Sequence, residues 1–413
     1  MLNRLKNAPA YEKTIFVLMN IWLAGYFLSP TNKQHYQFFI LSIVLSAFWL
    51  IFTQKINYRS LLKSKVIISA LLYALLFLIS IAWSNDLGFS EKFKDIKTFL
   101  YLIFFALVFL YVINSQSARL TTVINILIIS AVISLCINVY LFYGVNAEPI
   151  SARFSGMGRL WNPLWAAAMY GAMALAILAI LLDKFNQLKP IFRSFLILVF
   201  ILMVGAVVLT QSRTPIAAML LLALFTVIMS QQSLKMKVSV LLTSGIIGLM
   251  ALLYFLPFIQ EHMARGQSYR LDLWFGFIER ATEHLILGHG GGSNVPISSL
   301  VEEVDGWYHY HSTYIASLVE MGLAGLFLHL LLIVTTLSAA WKMRDIFIVK
   351  VAAIVFIYTC ILGITFGHGI LTRMNSQWLI FWMPLVVIAM YEIHNNNVSV
   401  RNDSLEFQSE GSS

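Results

Sequence analysis

Five of the nine histidines fall within one polar stretch, Pro257 to Tyr314: His262, His284, His289, His309 and His311. The same stretch carries Arg265, Arg270 and Arg280 and no lysine. Imidazole titrates near neutral pH and can serve as a general base. Guanidinium grips phosphate through a planar, two-pronged fork. Together they describe a site that binds a phosphorylated substrate and removes a proton. Gly288-His289-Gly290-Gly291-Gly292 lacks the Lys-Ser/Thr that follows the glycines of a nucleotide-binding loop. It reads as backbone freedom near a substrate, or as a turn. Tyr308-His309-Tyr310-His311-Ser312 runs straight into an apolar segment, which places His311 at a helix start. A loop this long is usually functional or disordered, and this one is too rich in aromatics for disorder.

Two earlier segments repeat the pairing of arginine with a helix start. In Gln211-Ser212-Arg213-Thr214-Pro215, Thr214 is expected to cap a helix and Pro215 to open it. Arg213 then sits between two apolar runs at the positive end of a helix dipole, a costly place for a cation unless an anion binds there. Arg153 and Arg159 precede Asn162-Pro163, a second expected cap and opening. For these two, a well-formed helix start with interface anchors is the simpler explanation. Glu320 lies about 13 Å along the helix that follows His311, at 1.5 Å per residue, where a carboxylate wants an Arg partner or a catalytic proton. His309, His311, Glu302, Glu303 and Asp305 follow no familiar metal-ligand spacing.

These residues need elements to position them, and the composition says what kind. Of 413 residues, 59% are hydrophobic and 11% charged, against about 25% charged in soluble domains. The chain is expected to be an all-α integral membrane protein forming a single polytopic domain. Twelve apolar runs are candidate spans: Thr14–Leu28, Phe38–Phe52, Val66–Trp83, Thr98–Val112, Val123–Phe142, Leu164–Leu182, Phe195–Leu209, Ile216–Met229, Val238–Phe255, Gly322–Ala340, Val351–Phe366 and Gln377–Met390. Residues 257–311 form the large loop between the ninth and tenth, with Arg270 opening an interfacial helix. Its expected apolar stripe is Leu271, Trp274, Phe275 and Ile278. The first run outlasts a signal peptide's apolar core and lacks a cleavage site, so it is expected to be retained. The polar tail, residues 394–413, is expected to be disordered and cytoplasmic. Cys136 and Cys360 lie in apolar runs and suggest neither a disulfide nor a metal site.

Sorting the basic residues by side tests the division. Twelve spans put seventeen Lys and Arg with both termini and eleven on the loop's side. By the positive-inside rule the termini are cytoplasmic and the loop faces out. Merging the seventh and eighth runs would invert every later loop and spoil the sorting. The net charge of +9 therefore reflects topology and not a nucleic-acid partner. The inner side holds eleven Lys and six Arg, the outer side four Lys and seven Arg. Topology alone does not choose between Lys and Arg, but phosphate recognition does.

Three pieces in order resemble a known family: Ser212-Arg213 at a helix start, the Arg270-x3-Trp274 helix leading to Leu287-Gly288-His289-Gly290, and His311-Ser312-Thr313-Tyr314-Ile315 followed by Glu320-Met321-Gly322. This set is similar to the O-antigen ligase and polymerase superfamily of bacterial inner-membrane proteins. Ser312 stands where that family often has Asn, a small polar exchange. The resemblance implies a metal-independent glycosyltransferase with no cofactor. It would take glycan from an undecaprenyl-pyrophosphate-linked donor at the periplasmic face and, in the ligases, pass it to the lipid A–core acceptor. It implies essential roles for Arg213, Arg270 and His311. Arg153, Arg159, Glu320, Tyr314 and His309 are the expected substrate-binding residues around them. An O-antigen polymerase would use the same donor with a growing glycan as acceptor. A protein O-glycosyltransferase usually carries a longer soluble C-terminal region. A transporter of lipid-linked glycan should instead set charges along a path through the bilayer.

Overall fold

The computed structural model describes residues 9–55, 61–84, 87–113, 117–230, 232–235, 237–238, 270–293, 295–297 and 309–410, with backbone alone for 117–118 and 397–410. The regular elements among the described residues are helical, and no strand occurs among them. Nine helices among them are long and apolar enough to cross a membrane, by length and composition. Twelve were expected. The first expected run lies in α1 (Ala10–Leu28), whose first turn carries Glu12 and lowers its hydropathy. The eighth lies in the shorter helix Arg213–Met229. The ninth, Val238–Phe255, falls outside the described residues.

At the centre stands the helix Pro163–Lys184, here α6, after α2 (Asn32–Phe52), α3 (Lys65–Ser80), α4 (Phe89–Ile113) and α5 (Ser117–Val139). It is buried on all sides. Its sequence explains this, because Ala166, Ala167, Ala168, Gly171, Ala172, Ala174 and Ala176 let neighbouring backbones approach closely. Asn162 caps it through Leu164 N–H at 2.8 Å and Pro163 opens it, as expected. Large apolar side chains such as Phe52, Phe89 and Ile191 face outward, as lipid contact requires.

Two chain reversals decide where the chemistry sits. The first lies between α7 (Pro190–Leu209) and α8 (Arg213–Met229). Leu209 O accepts from Phe154 N–H at one end of the bundle, while Val227 packs on Leu178 and Leu182 at the other. The two helices are therefore separate and run in opposite directions, as the charge sorting requires. Ser212 occupies the cap position of α8 and Arg213 is its first residue, so the helix begins earlier than the expected Thr214 cap. The Thr214 hydroxyl instead accepts from Thr365 Oγ1 at 2.9 Å.

The second reversal divides α10 (Thr313–Lys342), which follows α9 (Arg270–Glu283). Gly322 has φ 65° and ψ −160°, a conformation essentially closed to other residues. Ser317 Oγ lies 3.0 Å from His329 Nδ1. Twelve residues of straight helix would part them by about 18 Å, so Thr313–Met321 folds back on the remainder of α10. Gly288 and Gly290 clasp the fold: His289 N–H donates to Val319 O and Gly290 N–H to Glu320 O, at 2.9 and 2.8 Å. Gly288, at φ 68°, has no room for a Cβ against the backbone of Glu320 to Gly322.

On α9 the stripe buried against protein is Leu273, Phe277 and Ala281, packed with Tyr310, Ala316 and Val319. Leu271, Phe275 and Ile278 of the expected apolar stripe are exposed, so they lie on the side of α9 turned away from this packing. An amphipathic pattern marks an apolar side but does not say whether protein or lipid covers it. The last helix, α12, is helical from Met383 to Glu410, so its backbone continues into the tail expected to be disordered. Adding residues to a formed helix costs little beyond each residue's own ordering. It comes after α11 (Phe347–Thr365).

Gly322→Ala should lower the melting temperature in detergent by several degrees, because strain of about 1–3 kcal/mol or more enters at the fold-back. Gly205→Ala, where a Cβ meets open space, should not. Equal melting of the two variants would contradict the assigned conformation.

Candidate functional site

The loop 151–154 is stapled to the turn that opens α8. Arg153 Nε donates to Thr210 O and its Nη2 to Ser212 Oγ, both at 3.3 Å. Gln211 Nε2 donates to Ser151 O at 2.8 Å. The turn is strained, with Gln211 at φ 53°. Its product is a fixed position for Arg153 and Arg213, side by side at one end of the bundle. Arg270, the first residue of α9, joins them: burial and the positive charges of Arg153 and Arg213 hold its guanidinium below the ordinary arginine value. Three arginines from three elements that repel one another make a site suited to an anion.

His311 stands next to this group. Its backbone is left-handed, with φ 51°, a second strained residue at the same end. Ser312, in the cap position of α10, accepts from Ile315 N–H and donates to Gly363 O at 3.2 Å. Burial, then Arg270, then His368 push the His311 imidazole down to about 4. His309 stacks on it with centroids 4.0 Å apart and accepts from its backbone N–H at 3.2 Å. Burial and the two neighbouring histidines push His309 down to about 3. At neutral pH both rings are uncharged, and an uncharged imidazole can take a proton.

His368 completes the trio, its centroid 3.7 Å from that of His309. It was not among the residues expected from the sequence. It lies in Phe366-Gly367-His368-Gly369, and a glycine-flanked histidine just past an apolar run was the available signal. The loop is pinned by two indoles: Trp378 Nε1 donates to Thr372 O and Trp382 Nε1 to Ile370 O, at 3.2 and 3.0 Å. The His309 and His311 rings are stacked and so present faces, not lone pairs, to each other. Among the described residues no three His, Cys, Asp or Glu are arranged to hold a metal ion. Glu302, Glu303 and Asp305, considered with His309 and His311 as possible ligands, fall outside the described residues, as do His262 and Arg265.

Other expected site residues lie elsewhere. Arg159 Nε donates to His35 Nδ1 at 3.1 Å, and His35 Nε2 lies 3.0 Å from Trp22 O, so Arg159 ties loop to helices α1 and α2. Tyr314 points into the bundle, bonded through its hydroxyl to Cys360 O at 2.9 Å and stacked on His329. Glu320 does not lie deeper along a continuous helix. The fold-back at Gly322 returns it to the same end of the bundle, where Gly292 N–H donates to its carboxylate and Asp95 is its charged neighbour. Arg280 pairs with Glu283, and His289 Nε2 lies 2.9 Å from Arg280 O.

Residues 198–330 match the family profile described as O-antigen ligase. An O-antigen ligase of Pseudomonas aeruginosa is 24% identical over 390 residues, covering 94% of this chain and 93% of that protein. The matched span includes Arg213, Arg270, His309 and His311 but not Arg153, His368 or Arg373.

Inorganic pyrophosphate is a direct probe of the arginine group. Arg213→Gln should weaken its binding about tenfold or more while leaving the melting temperature nearly unchanged. Arg159→Gln should do the reverse. The opposite pattern in calorimetry and thermal melting would reassign the two residues.

Proposed function

We propose that this protein is a glycosyltransferase of lipopolysaccharide synthesis, moving O-antigen glycan from undecaprenyl pyrophosphate to the lipid A–core acceptor. The observation that carries the reading is the gathering of Arg153, Arg213 and Arg270 beside an uncharged His311 at one end of an apolar bundle. The match to O-antigen ligases supports it and favours ligase over polymerase. Charges concentrated at one end also speak for surface chemistry over transport through the bilayer. That end faces the periplasm, and both termini are cytoplasmic, in a twelve-span arrangement of the inner membrane. The sidedness rests on the charge sorting.

The reaction is a direct displacement. An acceptor hydroxyl oxygen attacks the anomeric carbon and its proton passes to the His311 imidazole. The bond from that carbon to the pyrophosphate oxygen breaks, and its electron pair leaves with the pyrophosphate. Arg213 and Arg270 hold the charge that develops there, with Arg153 supporting both. No cofactor and no metal ion take part. His309 orients the His311 ring by stacking and by accepting its backbone N–H. Bound pyrophosphate offsets the positive charge of Arg270, so the imidazole becomes a stronger base only when the donor is present.

Arg213→Lys and Arg270→Lys, matched for expression, should each slow transfer by about ten- to a hundredfold or more, because a point charge replaces the planar fork. His311→Ala should abolish transfer and leave donor binding largely intact. Lysine variants with near-normal transfer would reduce these arginines to interface anchors.

The pH profiles should differ in a definite direction. In the free enzyme the depressed imidazole stays neutral, so kcat/KM should hold level as pH falls and decline only near about 4. The acid limb of kcat should lie at higher pH, since it reports the donor complex. A fall of kcat/KM centred near the ordinary histidine value of about 6.5 would contradict the assigned environment.

A further inference from the structure

A second group of cations lies at the same end of the bundle, outside the arginine site. Lys94, Lys97 and Arg373 line a cavity of about 250 Å³ together with Thr98, Tyr36 and Tyr101. Among the described residues no carboxylate lines it. None of the three cations forms a salt bridge among the described residues. Asp95 and Glu91 are the nearby acidic groups: Asp95 lies within electrostatic range of Arg373, Lys94 and Glu91, but its carboxylate is turned toward Gly292 and Glu320. Tyr36 donates its hydroxyl hydrogen to Tyr101 at 3.1 Å, which leaves the Tyr101 hydroxyl hydrogen to be donated into the cavity. Two half-buried ammonium groups that form no salt bridge among the described residues are costly, and an anion lowers the cost.

The surroundings say how that anion arrives. Phe89, Phe93 and Lys97 recur every fourth residue and share one face of α4, and Phe89 and Phe93 are exposed. The cavity therefore borders the lipid, so its ligand is a phosphate on a lipid-anchored molecule. It also adjoins the chemistry, because the short loop after α11 carries both Arg373 of the cavity and His368 of the histidine trio. Lysine suits a phosphate monoester that is met in more than one orientation, whereas the other site is built of arginine forks.

We propose that this cavity binds a phosphate group of the lipid-anchored acceptor, so that each substrate is held by its own cation cluster. This rests on the ligase reading, with phosphorylated lipid A–core as acceptor. The cavity holds the acceptor's anionic headgroup at the outer membrane face while the terminal sugar hydroxyl reaches His311.

The test uses the full chain in phosphatidylcholine nanodiscs, with purified lipid A–core either intact or dephosphorylated. In the variant combining Lys94→Gln, Lys97→Gln and Arg373→Gln, KM for intact acceptor should rise about tenfold or more, with kcat and donor KM unchanged. For dephosphorylated acceptor, wild type and variant should share the same raised KM. Lys94→Arg with Lys97→Arg should retain most of the wild-type affinity, which separates loss of charge from loss of fold. Binding of intact lipid A–core without donor should show the same contrast, a readout that needs no transfer. Acceptor binding through the cavity by a wild type that transfers no glycan would sink the ligase reading and leave the phosphate site standing. An unchanged KM, a raised donor KM, or a defect indifferent to acceptor phosphate would overturn the proposal. So would a defect governed only by added phosphatidylglycerol, which would assign the cavity to bulk phospholipid.

Discussion

Positive charge gathered beside apolar helices has to be held there, and one end of this bundle is organised around that constraint. Arg153, Arg213 and Arg270 repel one another, and each is fixed by a different device. Arg153 donates to the turn of Thr210 and Ser212. Arg213 opens a helix directly after the tight turn that ends its predecessor at Leu209. Arg270 opens a helix anchored through Leu273 and Phe277. Because the scaffold maintains the repulsion, a bound anion relieves it, and the site is more complementary to a departing pyrophosphate than to neutral sugar. That is the direction in which electrostatic catalysis must work.

Backbone strain occurs where this arrangement is made. Gln211 and His311, the two left-handed residues next to the arginines and histidines, stand at φ 53° and 51°. The wide π turns Tyr140–Val145 and Trp378–Trp382 also lie at this end, a common companion of functional sites. The opposite end is built differently. There Lys350 pairs with Asp183 at 2.7 Å and the Ser64 hydroxyl donates to Glu392 at 2.6 Å.

Much of this was legible in the sequence because it is local. Apolar runs mark helices, Asn162-Pro163 marks a helix start, and Gly322 marks the beginning of an apolar run that is the second arm of the fold-back. The missed features are those that join distant residues. Arg159 meets His35 across 124 positions, and no local pattern separates such an arginine from one that binds substrate. His368 reaches His309 from the far side of two helices. The return of Glu320 to the end that holds His311 could not be read from helix geometry, because one glycine conformation cancels the straight-helix distance. The second apolar side of α9, Leu273, Phe277 and Ala281, was not read from the sequence, because its partners Tyr310 and Val319 lie some thirty or more positions away.

The account stands on where the pyrophosphate sits. The measurement that tests it most directly is a structure of the protein in nanodiscs with undecaprenyl pyrophosphate bound, determined by electron cryomicroscopy. Phosphate oxygens are expected within about 3 Å of the Arg213 and Arg270 guanidinium nitrogens, with the His311 ring facing the position of the anomeric carbon. Pyrophosphate bound in the Lys94 cavity, or at the end of the bundle that holds Lys350 and Asp183, would contradict it.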